Sequence, residues 1–293
     1  MNDRTFLIAG GDLRQTYLAA SLARQFRVYT VGFDKGAPLS KDILPLDGLL
    51  SLKERVDTIV LPLPASSDGV TVRTPFSGQM LTLDSLPVHL KPGGLVLAGR
   101  VDDHLRSLFA DVAAEVIDYF DREELAVLNA IPTAEGALQI AMEELPVTIF
   151  GLHVLLTGFG RISKALARML VALGASVTVA ARRFDDLAWA RIYGCKTLHL
   201  PETDSSFGEY DLIINTVPAM LLNERRLALL KKGALVIDLA SKPGGVDFDT
   251  ARRLGVKTIW ALSLPGKVAP VSSGEIIADT IRNLLRERGE RDA

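Results

Sequence analysis

Residues 153–183 read HVLLTGFGRISKALARMLVALGASVTVAARR and constrain the fold more than any other stretch. Val154, Leu155 and Leu156 form an apolar run that predicts a buried strand. Gly158 and Gly160 follow at once. Ile162, Ala165, Leu166, Met169, Leu170 and Leu173 then recur at helical spacing, and Gly174 stops that helix. Residues 176–181 predict a second strand. The stretch is therefore one βαβ unit opening on Gly-x-Gly, the context in which this motif binds a dinucleotide. Gly158 permits the tight turn. Gly160, lacking a Cβ, lets a pyrophosphate reach the backbone. The N–H groups and dipole of the helix start favour the phosphates. Ser163 stands where a third glycine is usual and is small enough for close packing. Gly158, Phe159, Gly160, Arg161 and Ile162 are the expected phosphate turn.

The end of the second strand bears on which dinucleotide. An NAD site carries Asp or Glu there to accept the ribose hydroxyls. Here Ala181, Arg182 and Arg183 occupy the place, with Arg182 24 positions after Gly158. Guanidinium groups grip a 2′-phosphate that a carboxylate repels, so NADP is favoured and NAD stays possible. Asp185 and Asp186 follow closely and are the alternative, displaced ribose acceptors.

A chain of 293 residues, about half apolar, has room for two domains. A net charge of −2 gives no basic footprint for nucleic acid or an anionic membrane. The only cysteine, Cys195, excludes an internal disulfide and suits a reducing, cytoplasmic setting. It lies outside the phosphate turn and reads as structural. The four histidines (His89, His104, His153, His199) are scattered, so no metal site is expected. The apolar runs are strand-sized, so neither a signal peptide nor a membrane span is expected.

Alternating strands and helices predict two doubly wound parallel sheets of Rossmann-like α/β type. Residues 1–131 are the expected flavodoxin-like substrate domain. They open as βαβ around Gly10-Gly11-Asp12, without the Gly-x-Gly spacing, so no dinucleotide is placed there. A helix of roughly a dozen residues is expected from Asp102. Residues 66–77 predict a long polar loop beside a strand end. A first helix ends at Pro132, and Thr133 caps a second, the linking helix 132–146. Residues 147–270 are the expected dinucleotide-binding domain. Residues 271–293 predict a terminal helix from about Ser273 that packs back on the first domain, with a fraying charged tail after Arg286.

Strand ends of the second half deliver polar and proline-containing loops to one edge. Asn215, Thr216, Val217 and Pro218 are expected under the ribose and nicotinamide. Ser241, Lys242, Lys267 and Ser272 are expected to face the reacting molecule.

Five motifs carry a resemblance: Gly10-Gly11-Asp12-Leu13-Arg14-Gln15; Ile131-Pro132-Thr133-Ala134-Glu135-Gly136; Asn215-Thr216-Val217-Pro218; Asp238-Leu239-Ala240-Ser241-Lys242-Pro243-Gly244-Gly245; and Leu264-Pro265-Gly266-Lys267-Val268-Ala269-Pro270. Together they are similar to the A subunit of dipicolinate synthase, over nearly the whole chain. Ser163 and Leu13 are the small departures. The resemblance implies a nicotinamide-linked oxidation of a dihydrodipicolinate to dipicolinate, the pyridine-2,6-dicarboxylate of bacterial endospores. It also implies a cytosolic enzyme of the sporulating mother cell and a hetero-oligomer with the flavoprotein-like B subunit of dipicolinate synthase. A dicarboxylate substrate calls for cations and hydroxyl donors; the candidates are Arg14, Ser66, Ser67, Thr133, Ser241, Lys267, Ser272 and Ser273. Glu135 or Asp12 is the candidate proton acceptor, and the residues do not choose between them. Two rival readings are a non-catalytic NADP-binding scaffold and a stand-alone NADP-dependent reductase of keto or imino acids.

Overall fold

A computed structural model of the chain describes residues 3–289, and within them the side chains of all but residues 202–205. The strands are β1 Thr5–Ala9, β2 Arg27–Val31, β3 Leu44–Pro45, β4 Val56–Val60, β5 Leu90–Ala98, β6 Glu115–Asp118, β7 His153–Thr157, β8 Ser176–Ala181, β9 Lys196–His199, β10 Leu212–Asn215, β11 Leu235–Asp238 and β12 Lys257–Trp260. The helices are α1 Leu13–Ala23, α2 Asp103–Leu108, α3 Glu123–Glu144, α4 Arg161–Ala172, α5 Phe184–Ile192, α6 Glu224–Leu227, α7 Phe248–Leu254, α8 Leu264–Val268 and α9 Pro270–Glu287.

Two compact units result. One holds the residues up to Asn129 together with those from Ala269 onward; the other is Ala130–Val268. Each contains one six-stranded sheet, ordered β3-β2-β1-β4-β5-β6 and β12-β11-β10-β7-β8-β9. Every pairing is parallel. Both sheets thus have the order of a dinucleotide-binding fold, reversing between β1 and β4 and between β7 and β10. The two-residue β3 is what extends the first sheet beyond the five-strand flavodoxin order.

The central strands are buried on both faces, as apolar runs such as FLIA and LIIN require. In the first unit, Phe6, Ile8, Leu18, Leu22 and Phe26 pack with Ile277, Ile281, Leu284 and Leu285 of α9. In the second, Val154, Leu156, Leu166, Leu170, Ile214 and Ile237 share a core with Ala134, Ala137 and Ala141 of α3.

The Pro132 break is absent. α3 runs unbroken over 22 residues with Pro132 inside it, so Thr133 is an interior residue and caps nothing. Proline removes one helical hydrogen bond locally. Burial of Leu125 on one side of it and of Ala134, Ala137, Leu138 and Ala141 on the other outweighs that loss. By length and composition alone α3 could also cross a membrane, contrary to the strand-sized runs expected. Its small buried residues mark it as a core helix. α2 covers six residues instead of a dozen. α9 starts at Pro270, earlier than Ser273, and reaches Glu287; of the charged tail, residues 290–293 lie outside those described. Residues 66–77 are a loop pinned by isolated bridges, Ser66 with Val72 and Thr71 with Thr82.

α1 and α9 meet closely at Gly274. A Cβ there would lie 2.6 Å from the Arg14 carbonyl oxygen and 3.0 Å from the Leu18 nitrogen, both backbone atoms. Glycine-to-alanine in a helix normally stabilises by about 1 kcal/mol. Here Gly274→Ala is expected to destabilise by about 1–3 kcal/mol through overpacking, read as a lowered denaturant midpoint; a raised midpoint would show that the helices can separate freely.

Candidate functional site

The crevice of an open parallel sheet lies at the carboxyl ends of the strands where the order reverses. In the second unit those ends are Thr157 on β7 and Asn215 on β10. Gly158 turns the chain with φ +82°, and a Cβ there would lie 2.9 Å from Thr216 Oγ1. Gly160 is exposed, N-caps α4, and a Cβ on it would have nothing within 4 Å. No side chain caps α4, and its first turn holds no acidic residue. An uncapped, open helix start with room above its glycine fits a diphosphate. Phe159 is buried with its ring edge-on to Tyr193 at 5.6 Å, so only its backbone can face a phosphate. Ser163 is buried, and its Oγ lies 2.9 Å from Thr216 Oγ1, which ties the helix start to the loop after β10.

The edge of this crevice is set by a network that sequence reasoning missed. Asp238, ending β11, is fully buried. Its Oδ1 accepts from Asn215 Nδ2 (2.8 Å) and Ala240 N (3.0 Å), and its Oδ2 from Gly245 N (2.8 Å). Asn215 Nδ2 also donates to the Val217 carbonyl, while its Oδ1 accepts from Thr157 Oγ1 (2.6 Å) and Val217 N. The Asn215 side chain is therefore saturated and fully buried. Its expected contact with a ribose is corrected to a role in holding Val217 and Asp238. Thr216 and Val217 are half-buried and Pro218 is exposed, so the backbone they carry stays at the crevice. The sequence signals for Asp238 are a carboxylate closing the apolar run LVI and its place at the head of the motif Asp238-Leu239-Ala240-Ser241.

The two arginines after β8 differ. Arg183 forms a double ion pair with Asp185, including Nε to Oδ1 at 2.9 Å, and Nε lies 3.9 Å from Asp186. Asp185 is thereby engaged and held below the ordinary carboxylate range by Arg183. Arg182 is exposed, follows the buried Ala181, and makes no ion pair among the described residues. Cys195 is buried, and burial pushes its thiol up to about 11. It is no nucleophile at neutral pH.

The expected substrate residues fall in both units. In the first, Asp12 N-caps α1, accepting from Arg14 N (3.1 Å). Arg14 clamps the same carboxylate through Nε (2.9 Å) and Nη2 (2.8 Å), and Nη2 also reaches the Leu63 carbonyl at 3.2 Å. Burial alone would raise the Asp12 carboxyl; hydrogen bonds and charge from Arg14, with the charge of Arg73, outweigh it and hold it low. A carboxylate so held is a poor proton acceptor, so Asp12 is corrected from candidate base to the anchor of Arg14. Ser66 Oγ is spent in its own turn, donating to Asp68 (2.8 Å) and accepting from Gly69 N (2.9 Å). Ser67 and Ser272 are exposed. Ser273 is only 1% exposed and cannot present its hydroxyl to a ligand. In the second unit Glu135, Ser241 and Lys267 are exposed and Thr133 is half-buried. Lys267 sits on the short helix α8 where a loop was expected.

Two parallel sheets of dinucleotide-binding order, one with an open phosphate turn, define an oxidoreductase-type α/β protein with a nicotinamide dinucleotide domain. Residues 133–244 match the NAD-binding domain of D-isomer-specific 2-hydroxyacid dehydrogenases, and residues 5–120 match the N-terminal domain of the dipicolinate synthase A subunit. The chain is 33% identical to the dipicolinate synthase A subunit of Bacillus subtilis (strain 168), over 96% of this chain and 95% of that one. It therefore belongs to the family of dipicolinate synthase A subunits. The crystal structure of the Bacillus halodurans member superposes with a TM-score of 0.87 at 32% identity, covering 96% of this chain and 97% of that one. A transhydrogenase from Sinorhizobium meliloti, 16% identical with a TM-score of 0.71 over 98% of this chain and 95% of that one, shares the fold alone.

Asn215→Asp would set a second carboxylate against buried Asp238. It is expected to lower stability by about 3–5 kcal/mol, the scale of an uncompensated buried charge; an unchanged denaturant midpoint would contradict the network. Because the Asp12 carboxyl is lower in the folded chain than in the unfolded one, its stabilisation is complete above about pH 4 and is lost as pH falls through the folded value. Asp12→Asn, which keeps a capping side chain, should therefore flatten the acid limb of the stability–pH curve. An acid limb identical to the native chain's would contradict the pairing.

Proposed function

We propose that this chain is the NADP-dependent component that oxidises a dihydrodipicolinate to dipicolinate, acting with the flavoprotein-like B subunit of the synthase in the cytosol of a sporulating mother cell. The observation that carries the cofactor part is Arg182: an exposed cation, without an ion pair among the described residues, where an NAD site keeps its ribose carboxylate. The family relationship carries the substrate part.

NADP, when bound, supplies the hydride acceptor. The amides following Gly158 and the start of α4 hold its diphosphate, and Arg182 its 2′-phosphate. The backbone of residues 216–218, fixed by Asn215 and Asp238, lines the nicotinamide end. The exposed cation that the second unit offers to a substrate carboxylate is Lys267, whereas Arg14 is buried against Asp12. Ser241 and Thr133 of the second unit add hydroxyl donors. Loss of a hydride and a proton gives an aromatic ring, so the reaction needs no strong base. With Asp12 locked to Arg14, Glu135 is the remaining carboxylate candidate for the proton, directly or through water.

A 2-hydroxy acid dehydrogenase would instead need a histidine poised at the crevice by a carboxylate. His153 begins β7, at the opposite sheet edge. His199 stacks on Phe184 at 4.9 Å.

Synthetic dihydrodipicolinate and NADP, added to the purified chain with and without its partner, should give NADPH, with no reduction of pyruvate by NADPH. Keto acid turnover without dihydrodipicolinate oxidation would overturn the reading. Arg182→Asp should weaken NADP by roughly tenfold to a hundredfold, the scale of a lost charge-assisted bond, and NAD far less. Equal loss for both dinucleotides would remove Arg182 from cofactor choice.

A further inference from the structure

The first unit has the same strand order as the second, so its own crevice lies at the carboxyl ends of β1 and β4. That crevice is closed to a diphosphate. At Gly10, φ +69°, a Cβ would lie 2.8 Å from the Arg73 carbonyl oxygen and 2.8 Å from Thr74 Cγ2. Gly11 N donates to that same carbonyl at 2.7 Å. Thr74 also covers Gly32, at the end of β2, with Cγ2 2.9 Å from a Cβ there. The chain's own residues 72–74 thus lie over the glycine turn. Where α4 has the open Gly160, α1 has a carboxylate cap, Asp12. An anion with several charges is excluded on both counts.

The same segment delivers a cation. Arg73 is held by its backbone, through the bond from Gly11 and its own N–H to the Ala65 carbonyl (3.2 Å). Its side chain is exposed and makes no ion pair among the described residues. Its charge reaches Asp12. Asp12 and Arg14 neutralise each other in a bidentate pair. Of these three charges, Arg73 is the one outside an ion pair. Below Gly11 the Gln15 side chain is fully buried, with Cγ 2.5 Å from where a Gly11 Cβ would lie, so the turn is backed by packed side chain. Tyr119, whose hydroxyl donates to the Leu61 carbonyl at 3.0 Å, closes the floor at the end of β4. An exposed guanidinium without an ion pair, fixed by its backbone beside the glycine turn, suits a small carboxylate.

We infer that Arg73 is the residue of the first unit that binds a substrate carboxylate, with the Asp12–Arg14 pair as the fixed pedestal beside it. This rests on the reading of the substrate as a small carboxylate and adds a residue which that reading does not include. Arg73→Gln and Arg73→Lys in the full chain test it, with binding of pyridine-2,6-dicarboxylate and of pyruvate measured by calorimetry alongside NADP. Arg73→Gln should weaken pyridine-2,6-dicarboxylate by roughly tenfold to a hundredfold, Arg73→Lys should restore part of that loss, and NADP affinity should not change. With dihydrodipicolinate as substrate, the loss should appear in KM more than in kcat. Pyruvate binding alone with the same dependence on Arg73 would support the carboxylate site while removing the dipicolinate reading. Pyridine-2,6-dicarboxylate binding that is unaltered in Arg73→Gln would overturn the inference and leave that reading standing. Equal loss in the Lys and Gln variants, or loss of NADP binding with them, would also overturn it.

Discussion

A buried carboxylate is costly unless every acceptor meets a donor. Asp238 meets three: Asn215, Ala240 and Gly245. Through Asn215 the same network reaches Thr157, so the ends of β7, β10 and β11 are fastened to one another. A Cβ on Gly245 would lie 2.3 Å from Asn215 Nδ2, so the glycine is required where loop and network meet. The exposed groups that would meet a dinucleotide, Gly160 and Arg182, stand on this rigid edge and take no part in it. A site whose ligand groups are free and whose support is locked is preorganised in the useful sense.

The two units show how one strand order carries two different helix starts. In both, a glycine of positive φ follows the first central strand, Gly10 in one and Gly158 in the other. The difference lies at the helix cap. Gly160 leaves the positive end of α4 open to an anion. Asp12 satisfies the start of α1 with a carboxylate and then binds Arg14. Residues 72–74 complete the change by lying over Gly10.

Much of the second unit was legible because its signals are local. The apolar run before Gly158, the helical spacing after it and the place of Arg182 all lie within one βαβ stretch. What differs between Arg182 and Arg183 was not legible, since it depends on which guanidinium the backbone turns toward Asp185. Asn215 stood in an expected crevice loop, yet its partners Thr157 and Asp238 are 58 and 23 positions away, beyond any short-range pattern. Pro132 misled for a related reason. Its local penalty is visible in the chain, while the burial that overrides it is tertiary. β3, two residues long, is too short to show a period at all.

The proposed cofactor site requires the backbone amides at the start of α4 to hold a diphosphate and Arg182 to hold a further phosphate. Phosphorus NMR of NADP titrated with the full chain tests this most directly, because the diphosphate and 2′-phosphate signals are separate. Both signals should shift on binding, and Arg182→Gln should abolish the shift of the 2′-phosphate alone. A 2′-phosphate signal unmoved by saturating native chain, with the diphosphate signal shifted, would contradict that assignment.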